Sequence, residues 1–430
     1  MTLLTHLVLA DVTPSQRRAL TARGAVPDPD VSRRAADICQ RVREEGDRAV
    51  AEAAAAVGGG FRRVTDVELD AATAALDTAT REAIESAIAA VDGFHRAQLP
   101  SASTVTTRPG VEITRQWAPL RRVGAYVPGG KAAYPSTAIM TVVPAVVAGV
   151  GEIVVASPEG SDGTMPMALL AACRLAGATE VWAMGGAQAV AALAYGTATV
   201  GPVDKIVGPG NAWVTAAKLA VFGTCAIDMP AGPSEVLVLA DATSDPTLVA
   251  VDLLCQAEHG PDSPAVLVTT DPGLVDRVEW ELARLLPDLE RSDILAKALA
   301  DHGVAAVAAD RAEAVEFAND YAAEHVTILT GDPERYAEAV TSAGSVYVGR
   351  WAPESAGDYA TGANHVLPTG GLAAACGPLS IEDFGSWRQV QRIDRSGLEA
   401  LVPTISRLAT VEGLTAHRLA ATIRTENPST

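Results

Sequence analysis

Four of the seven histidines stand in surroundings that could do chemistry. They lie in Gln256-Ala-Glu-His259-Gly-Pro261, Ala323-Glu-His325-Val, Gly357-Asp-Tyr-Ala-Thr-Gly-Ala-Asn-His365-Val-Leu-Pro368 and Glu412-Gly-Leu-Thr-Ala-His417. Histidines beside carboxylates, in loops and at helix ends, are what metal and acid–base sites are built from. The stretch from Val251 reads as a helix, with Val251, Leu254 and Cys255 at helical spacing and Gly260-Pro261 as its stop. Gln256 and His259 are three apart and so project from one face of its last turn. That end of a helix carries partial negative charge, which favours a cation. The pair is half of a metal site, although taken alone it reads more simply as a solvated helix end. His6, His95 and His302 have no such surroundings and are expected to be ordinary surface or core histidines.

The elements that must hold these residues change character along the chain. Up to about residue 110, Val31 to Ala56 and Glu68 to Gln98 carry apolar residues at three-to-four spacing and predict helices, separated by Gly58-Gly59-Gly60. From Gly110 to about residue 240, β-branched runs alternate with Ala-rich helical segments. The runs 122–127, 152–157, 180–184, 205–207 and 236–240 predict strands. The segments 138–148, 166–176, 187–195 and 212–221 predict helices. A second alternating block follows, with strands expected at 265–270, 304–308, 326–329 and 345–348. Such alternation implies parallel sheets covered by helices, and two α/β blocks usually enclose a cleft. Glycine-rich loops at 127–131, 185–188 and 208–211 would let backbone approach a ligand, yet the fingerprint G-x-G-x-x-G is absent. No short-period repeat is visible. Trp351 to Gly377 is punctuated by Gly and Pro and predicts a long loop, a feature that is usually functional. The tail carries two helical patterns, the last at 414–424.

Composition bounds the function. The chain has 430 residues, of which 48% are hydrophobic, enough for several packed domains. A formal charge of −19 disfavours nucleic acid and anionic membranes as partners. No apolar run approaches the roughly 18 residues of a membrane span. The five cysteines are scattered, with no CxxC, and each is expected to be a small buried residue in a reducing compartment. The N-terminal stretch has no basic region ahead of an apolar core, so a cytoplasmic protein is expected.

Several long motifs stand in one order: Arg122-Val-Gly-Ala-Tyr-Val-Pro-Gly-Gly-Lys-Ala-Ala-Tyr-Pro-Ser136, Gly185-Gly-Ala-Gln-Ala189, Asp204-Lys-Ile-Val-Gly-Pro-Gly-Asn211, Ile227-Asp-Met-Pro-Ala-Gly-Pro-Ser-Glu235 and the four histidine segments. In these the sequence resembles the histidinol dehydrogenase family over almost its whole length. The resemblance implies an enzyme dependent on Zn2+ and NAD that oxidises L-histidinol to L-histidine through the aldehyde. It implies zinc ligands at Gln256, His259, Asp358 and His417, and a catalytic pair at Glu324 and His325. NAD contacts would fall on Tyr126, Gln188 and Asn211, and substrate contacts on Ser234, His325, His365 and Glu412. It further implies a homodimer whose tail crosses to the partner, so that Glu412 and His417 complete the other subunit's site. The fold expected is two Rossmann-like α/β domains without a GxGxxG loop. The parts would be a helical N-terminal region at 1–110, an NAD-side domain at 111–233, a zinc-side domain with the catalytic pair at 234–380, and a helical tail at 381–430.

The chemistry fits these residue types. Taking an alcohol to an acid removes two hydrides, and each transfer needs a base for a proton. His325 suits that task, and Glu324 suits activation of the water that adds to the aldehyde. Zinc would hold the substrate's amine and imidazole as a template. Neighbours on a strand face opposite ways, so Glu324 and His325 share a site only at a turn or through a water. Two stretches depart from the usual family pattern, Gly260-Pro261 after the histidine and Phe384-Gly-Ser-Trp-Arg-Gln-Val-Gln391. The alternative is therefore a paralogue acting on another alcohol, such as a sulfonated diol or another amino alcohol. A zinc hydrolase is disfavoured because H-E-x-x-H is absent, and a non-catalytic binding protein because the acid–base set is intact.

Overall fold

The computed structural model describes residues 3–24, 26–129, 133–160 and 162–426. Gly130 and Lys131, in the first glycine loop, lie outside the described residues. Those described form two units, one within Met1–Gln98 and Leu120–Phe384, the other within Leu99–Pro119 and Gly385–Thr430.

The first unit contains two six-stranded sheets. One runs, edge to edge, Arg62–Arg63, Glu180–Ala183, Glu152–Ser157, Arg122–Tyr126, Lys205–Val207, Ala226–Ile227, with only Arg62–Arg63 antiparallel. The other runs Thr5–Val8, Gly303–Val307, Ala265–Thr269, Val236–Ala240, His325–Ile328, Ser345–Val348, all parallel. Leaving aside its N-terminal edge strand, each sheet places its strands third, second, first, fourth, fifth. The two blocks are thus the same topology twice, a likeness of strand order that no short-period repeat announced.

Burial on both faces explains why these strands read as unbroken apolar runs. Val236, Leu237, Val238, Leu239 and Ala240 are all buried, the even positions against one core and the odd against another. Leu253, Val278 and Leu299 fill the first of these cores, and Phe317 and Tyr336 the second. Most expected elements form within two or three residues of their predicted bounds.

The helix expected from Val251 begins earlier, at Pro246, because Asp245 caps it by accepting the Thr247 N–H and Pro246 fits the first turn. Its buried face is Val249, Ala250, Leu253, Leu254 and Ala257, while Val251 is exposed. The N-terminal helical blocks are each two helices. Gly46, at φ +60°, divides Pro29–Glu45 from Asp47–Ala56. Asp77 caps Thr78–Arg96 and separates it from Asp66–Ala74. This region is also not purely helical, since Thr5–Val8 and Arg62–Arg63 serve as edge strands.

Three further expectations change. The segment 351–377 contains the helix Glu354–Tyr359 and a 3-10 turn at Leu372–Ala374. The tail is not purely helical: the nine-residue strand Gly385–Ile393 precedes the helices Arg395–Val411 and Thr415–Glu426. That strand pairs antiparallel with Val111–Pro119, which also pairs with Ser103–Arg108, so 99–119 groups with the tail across the expected boundary at 110. Trp387 stands opposite Trp117, and the Arg115 guanidinium lies 3.5 Å over the Trp387 ring. Of the cysteines, Cys39, Cys173 and Cys225 are buried, Cys255 is half-buried, and Cys376 is exposed because it follows a surface turn. Among the described residues, no helix is long and apolar enough to cross a membrane.

One buried ion pair fastens the third glycine loop. Lys218, in Ala212–Val221, pairs with Asp228 and donates to the Gly208 carbonyl at 3.0 Å. Asp228 accepts the Gly208 N–H at 2.7 Å. Both side chains are almost wholly buried. Removing one partner strands the other charge, so Lys218→Met is expected to destabilise the protein by about 3–5 kcal/mol. Denaturant unfolding measures this, and a loss below about 1 kcal/mol would show the pair to be dispensable.

Candidate active site

The second sheet gathers the candidate side chains at the amino edge of its strands. A helix joining two parallel strands runs back against them, so Pro246–Ala257 delivers Gln256 and His259 to that edge. His259 and Asp358 converge there with a residue the sequence reading missed, Glu354. One ligand atom from each of the three lies within 4.8 Å of the others. His259 Nε2 is 3.7 Å from Glu354 Oε1. Glu354 and Asp358 are four apart on one short helix and so share a face. That i, i+4 spacing was the available signal, hidden because the stretch read as a loop.

The cluster is electrostatically unfinished. Among the described residues, the fully buried Glu354 has no hydrogen-bond partner for either oxygen, and the fully buried Gln256 amide has none for either of its atoms. Buried polar groups are rarely left so. Burial, with Asp358 and Asp252 nearby, pushes the Glu354 carboxyl well above its ordinary range. Burial also raises Asp358, against the opposing pull of His259. A cation would satisfy all of these groups at once. Burial pushes the neighbouring Cys255 thiol up to about 12, which leaves a donor set of nitrogen and oxygen. His259, Asp358 and Cys255 line a cleft of about 850 Å³, together with Tyr134, Ser136 and Arg291.

Glu324 and His325 meet the condition their adjacency imposes. The helix Arg311–Tyr321 ends in Ala322 at φ +49°, the one non-glycine residue with positive φ among those described. Such a conformation is costly outside glycine and tends to persist at functional sites. It turns the chain so that Glu324 lies in the bend and His325 opens the strand. Both side chains then reach one place, with His325 Nδ1 3.8 Å from Glu324 Oε2 and 3.8 Å from Glu354 Oε1. Glu324 Oε2 accepts from Ser234 Oγ at 2.6 Å and from the Glu235 N–H at 3.0 Å. Burial drives the Glu324 carboxyl well above its usual value.

His325 Nδ1 lies 3.2 Å from the Glu235 carbonyl, which can only accept, so Nδ1 carries the proton. Nε2 is buried and has no hydrogen-bond partner among the described residues. Burial lowers the imidazole to about 3, leaving it neutral with a free lone pair. His365 is tied down similarly, its Nδ1 donating to the Asp358 carbonyl at 3.1 Å, and burial lowers it to about 4. The adjacent Asn364 amide spans His95 Nε2 and the Met140 carbonyl, so the buried His95 is structural, as expected.

On the first sheet the candidate residues lie at the opposite edge. Tyr126 ends its first strand, the Gly185–Gln188 segment follows its third and Gly208–Asn211 its fourth. Tyr126 and Gly208 thereby flank the point where the strand order reverses, the usual ligand crevice of such sheets. The Tyr126 hydroxyl accepts the Gly186 N–H at 3.1 Å. A Cβ on Gly208 would come within 2.2 Å of the Tyr126 carbonyl oxygen, so only glycine fits there. Asn211 Oδ1 caps Ala212–Val221, accepting from Trp213 N at 3.0 Å and Val214 N at 3.2 Å, while Gln188 is buried in the first turn of Gly186–Tyr195. Glu412 and His417 belong to the second unit, where both are exposed.

The family model described as histidinol dehydrogenase matches residues 21–425. The chain is 45% identical to the histidinol dehydrogenase of Methanothermobacter thermautotrophicus, over 93% of this chain and 94% of that one. It is 46% identical to that of Halobacterium salinarum, over 97% and 99%. The crystal structure of histidinol dehydrogenase from Elizabethkingia anophelis superposes with a TM-score of 0.93 at 34% identity, covering 99% of each chain.

Glu354 allows a direct test of the unfinished cluster. With metal stripped by chelator, Glu354→Gln is expected to be at least as stable as the unaltered chain, because a buried repelling carboxylate is gone. Its affinity for zinc by calorimetry should fall about 10- to 100-fold. Undiminished affinity would remove Glu354 from the cation site.

Proposed function

The chain belongs to the histidinol dehydrogenase family, and from that premise we propose that it oxidises L-histidinol to L-histidine through the aldehyde, by two NAD-dependent hydride transfers that end histidine biosynthesis. The observation that carries this reading is the neutral, buried His325 with a free Nε2, placed beside Glu324 and the cation-ready cluster.

In the first oxidation the hydroxyl proton passes to His325 Nε2 as hydride leaves the carbinol carbon. The proton on Nδ1 stays with the Glu235 carbonyl, which holds the ring in the tautomer that can accept. A water then adds to the aldehyde carbon, deprotonated by Glu324. A carboxylate raised by burial is a stronger base than an ordinary one, while the Ser234 hydroxyl keeps it oriented. His325 Nε2 returns its proton to the former carbonyl oxygen as the water adds, so the hydrate forms neutral; in the second oxidation a hydroxyl proton passes back to Nε2 as the second hydride leaves, giving the acid. Zinc, when held by Gln256, His259, Asp358 and His417 of the partner subunit, supplies a template for the substrate's amine and imidazole. NAD, when bound against Tyr126, Gln188 and Asn211, takes the hydrides. Ser234, His325, His365 and the partner subunit's Glu412 are the proposed substrate contacts.

We place two copies in the working enzyme, in the cytoplasm. The second unit exposes Leu408, Val411, Leu419 and Ile423 on its two helices, apolar surface that a partner would cover. All five cysteines are free, which suits a reducing compartment.

L-histidinol should drive NAD reduction with purified protein. Turnover of a sulfonated diol with no turnover of L-histidinol would overturn the substrate assignment. Glu324→Gln should depress oxidation of supplied aldehyde by about 100- to 10,000-fold and the alcohol step far less. Equal losses would give Glu324 another task. His259→Ala and His417→Ala homodimers should both be inactive. Subunit exchange between equal amounts makes about half the dimers hybrids, each with one intact site, and returns about a quarter of full activity. No recovery despite demonstrated exchange would mean that each tail serves its own subunit.

A further inference from the structure

Behind the Glu324–His325 pair stands a residue that touches both members with its backbone and Glu324 with its side chain as well. Glu235 is 2% exposed and immediately precedes the central strand Val236–Ala240. Its N–H donates to Glu324 Oε2 at 3.0 Å. Its carbonyl accepts from His325 N and from His325 Nδ1, both at 3.2 Å. Its Oε1 accepts the Glu324 N–H at 3.3 Å and the Gly370 N–H at 3.1 Å. Its other oxygen pairs with the guanidinium of Arg23.

Arg23 comes from the far end of the sequence, after the helix Pro14–Thr21. Its guanidinium lies 3.3 Å over the Tyr321 ring and also donates to the Tyr321 carbonyl. Tyr321 is the last residue of the helix before the left-handed Ala322. One guanidinium therefore grips both sides of the bend that carries Glu324, the helix end on one side and the leading residue of the neighbouring strand on the other. The neighbouring Gly24 N–H donates to the Gly370 carbonyl at 3.1 Å, closing the arrangement onto the residue whose N–H reaches Glu235.

We propose that Arg23 and Glu235 are the positioning pair for Glu324 and His325, a buried charge pair whose carboxylate fixes the Glu324 bend and whose cation keeps that carboxylate from repelling Glu324. The proposal rests on the reading of Glu324 and His325 as the catalytic pair. Arg23 and Glu235 are positioning residues, acting through Glu324 and His325. Arginine is required because a planar fork can serve Glu235 and the Tyr321 carbonyl together, whereas an ammonium is a single point charge. Without Arg23, Glu235 is a buried anion next to a second carboxylate that must ionise to activate water.

Arg23→Met is the test, read on supplied aldehyde and on alcohol separately. The kcat for aldehyde is expected to fall about 10- to 100-fold, as for other residues that orient catalytic groups. The KM values and the bound zinc should stay within about twofold of the unaltered enzyme, on the principle that only the reacting state has lost support. Adding Glu235→Gln removes the stranded charge but keeps an acceptor for the Glu324 N–H. The double variant should therefore recover most of the lost kcat. Arg23→Lys, the milder change, should fall between and carries the same readouts if Arg23→Met does not fold. An unchanged kcat in folded Arg23 variants, or a loss that Glu235→Gln deepens, would reduce the pair to a structural ion pair. If Glu324→Gln itself leaves the aldehyde step intact, the catalytic-pair reading fails, which is a separate result.

Discussion

The parallel pairing of Val236–Ala240 with His325–Ile328, in which Val236 stands opposite His325, is the constraint on which the site depends. It brings the residue before one strand against the residue before the other, so Glu235 meets Glu324. It also aims the Glu235 carbonyl at His325, which decides the tautomer of that ring. A slip of one residue would reverse every side chain and put His325 elsewhere. The register is held by two cores that take alternate residues of Val236–Ala240, so the geometry of Glu324 and His325 is enforced by burial on both faces of the sheet.

The two sheets share a strand order and differ in which edge carries the candidate site residues. On the first these lie at the carboxyl edge, where strands run out into glycine-rich loops. On the second they lie at the amino edge, where strands begin and helices end. That edge receives the C-terminus of Pro246–Ala257, with Gln256 in its last turn and His259 just beyond, and a helix C-terminus favours a cation. One topology thus offers an edge suited to a phosphate-bearing cofactor and an edge suited to a metal, according to which end of the helices faces the site.

The site is costly to the fold. Among the described residues Gln256 and Glu354 are buried without partners, His325 Nε2 likewise, and Ala322 holds a conformation that glycine would adopt more readily. A large core tolerates such costs, which are those of groups arranged for a ligand. The neutral His325 follows from the same burial that leaves Glu354 unsatisfied.

Much of this was legible in the sequence because it is local. Strand runs, capping residues, glycine loops and family motifs each depend on a few neighbouring residues, and the expected strands of both sheets formed nearly at their predicted bounds. The sequence by itself also named His259, Glu324, His325, Asp358 and His365, all of which sit at or beside the amino edge of the second sheet. What it did not reveal depends on partners far apart in the chain. Gly385–Ile393 is a strand only because Val111–Pro119 lies beside it, and Thr5–Val8 only because it joins Gly303–Val307. Glu354 became visible when a supposed loop proved to be a helix turn with Asp358 on the same face. Arg23 stands more than two hundred residues from Glu235 and has no motif of its own. Tertiary structure decided these because hydrogen-bond pairing and charge compensation are satisfied in space, whereas a periodic pattern records only what each segment buries.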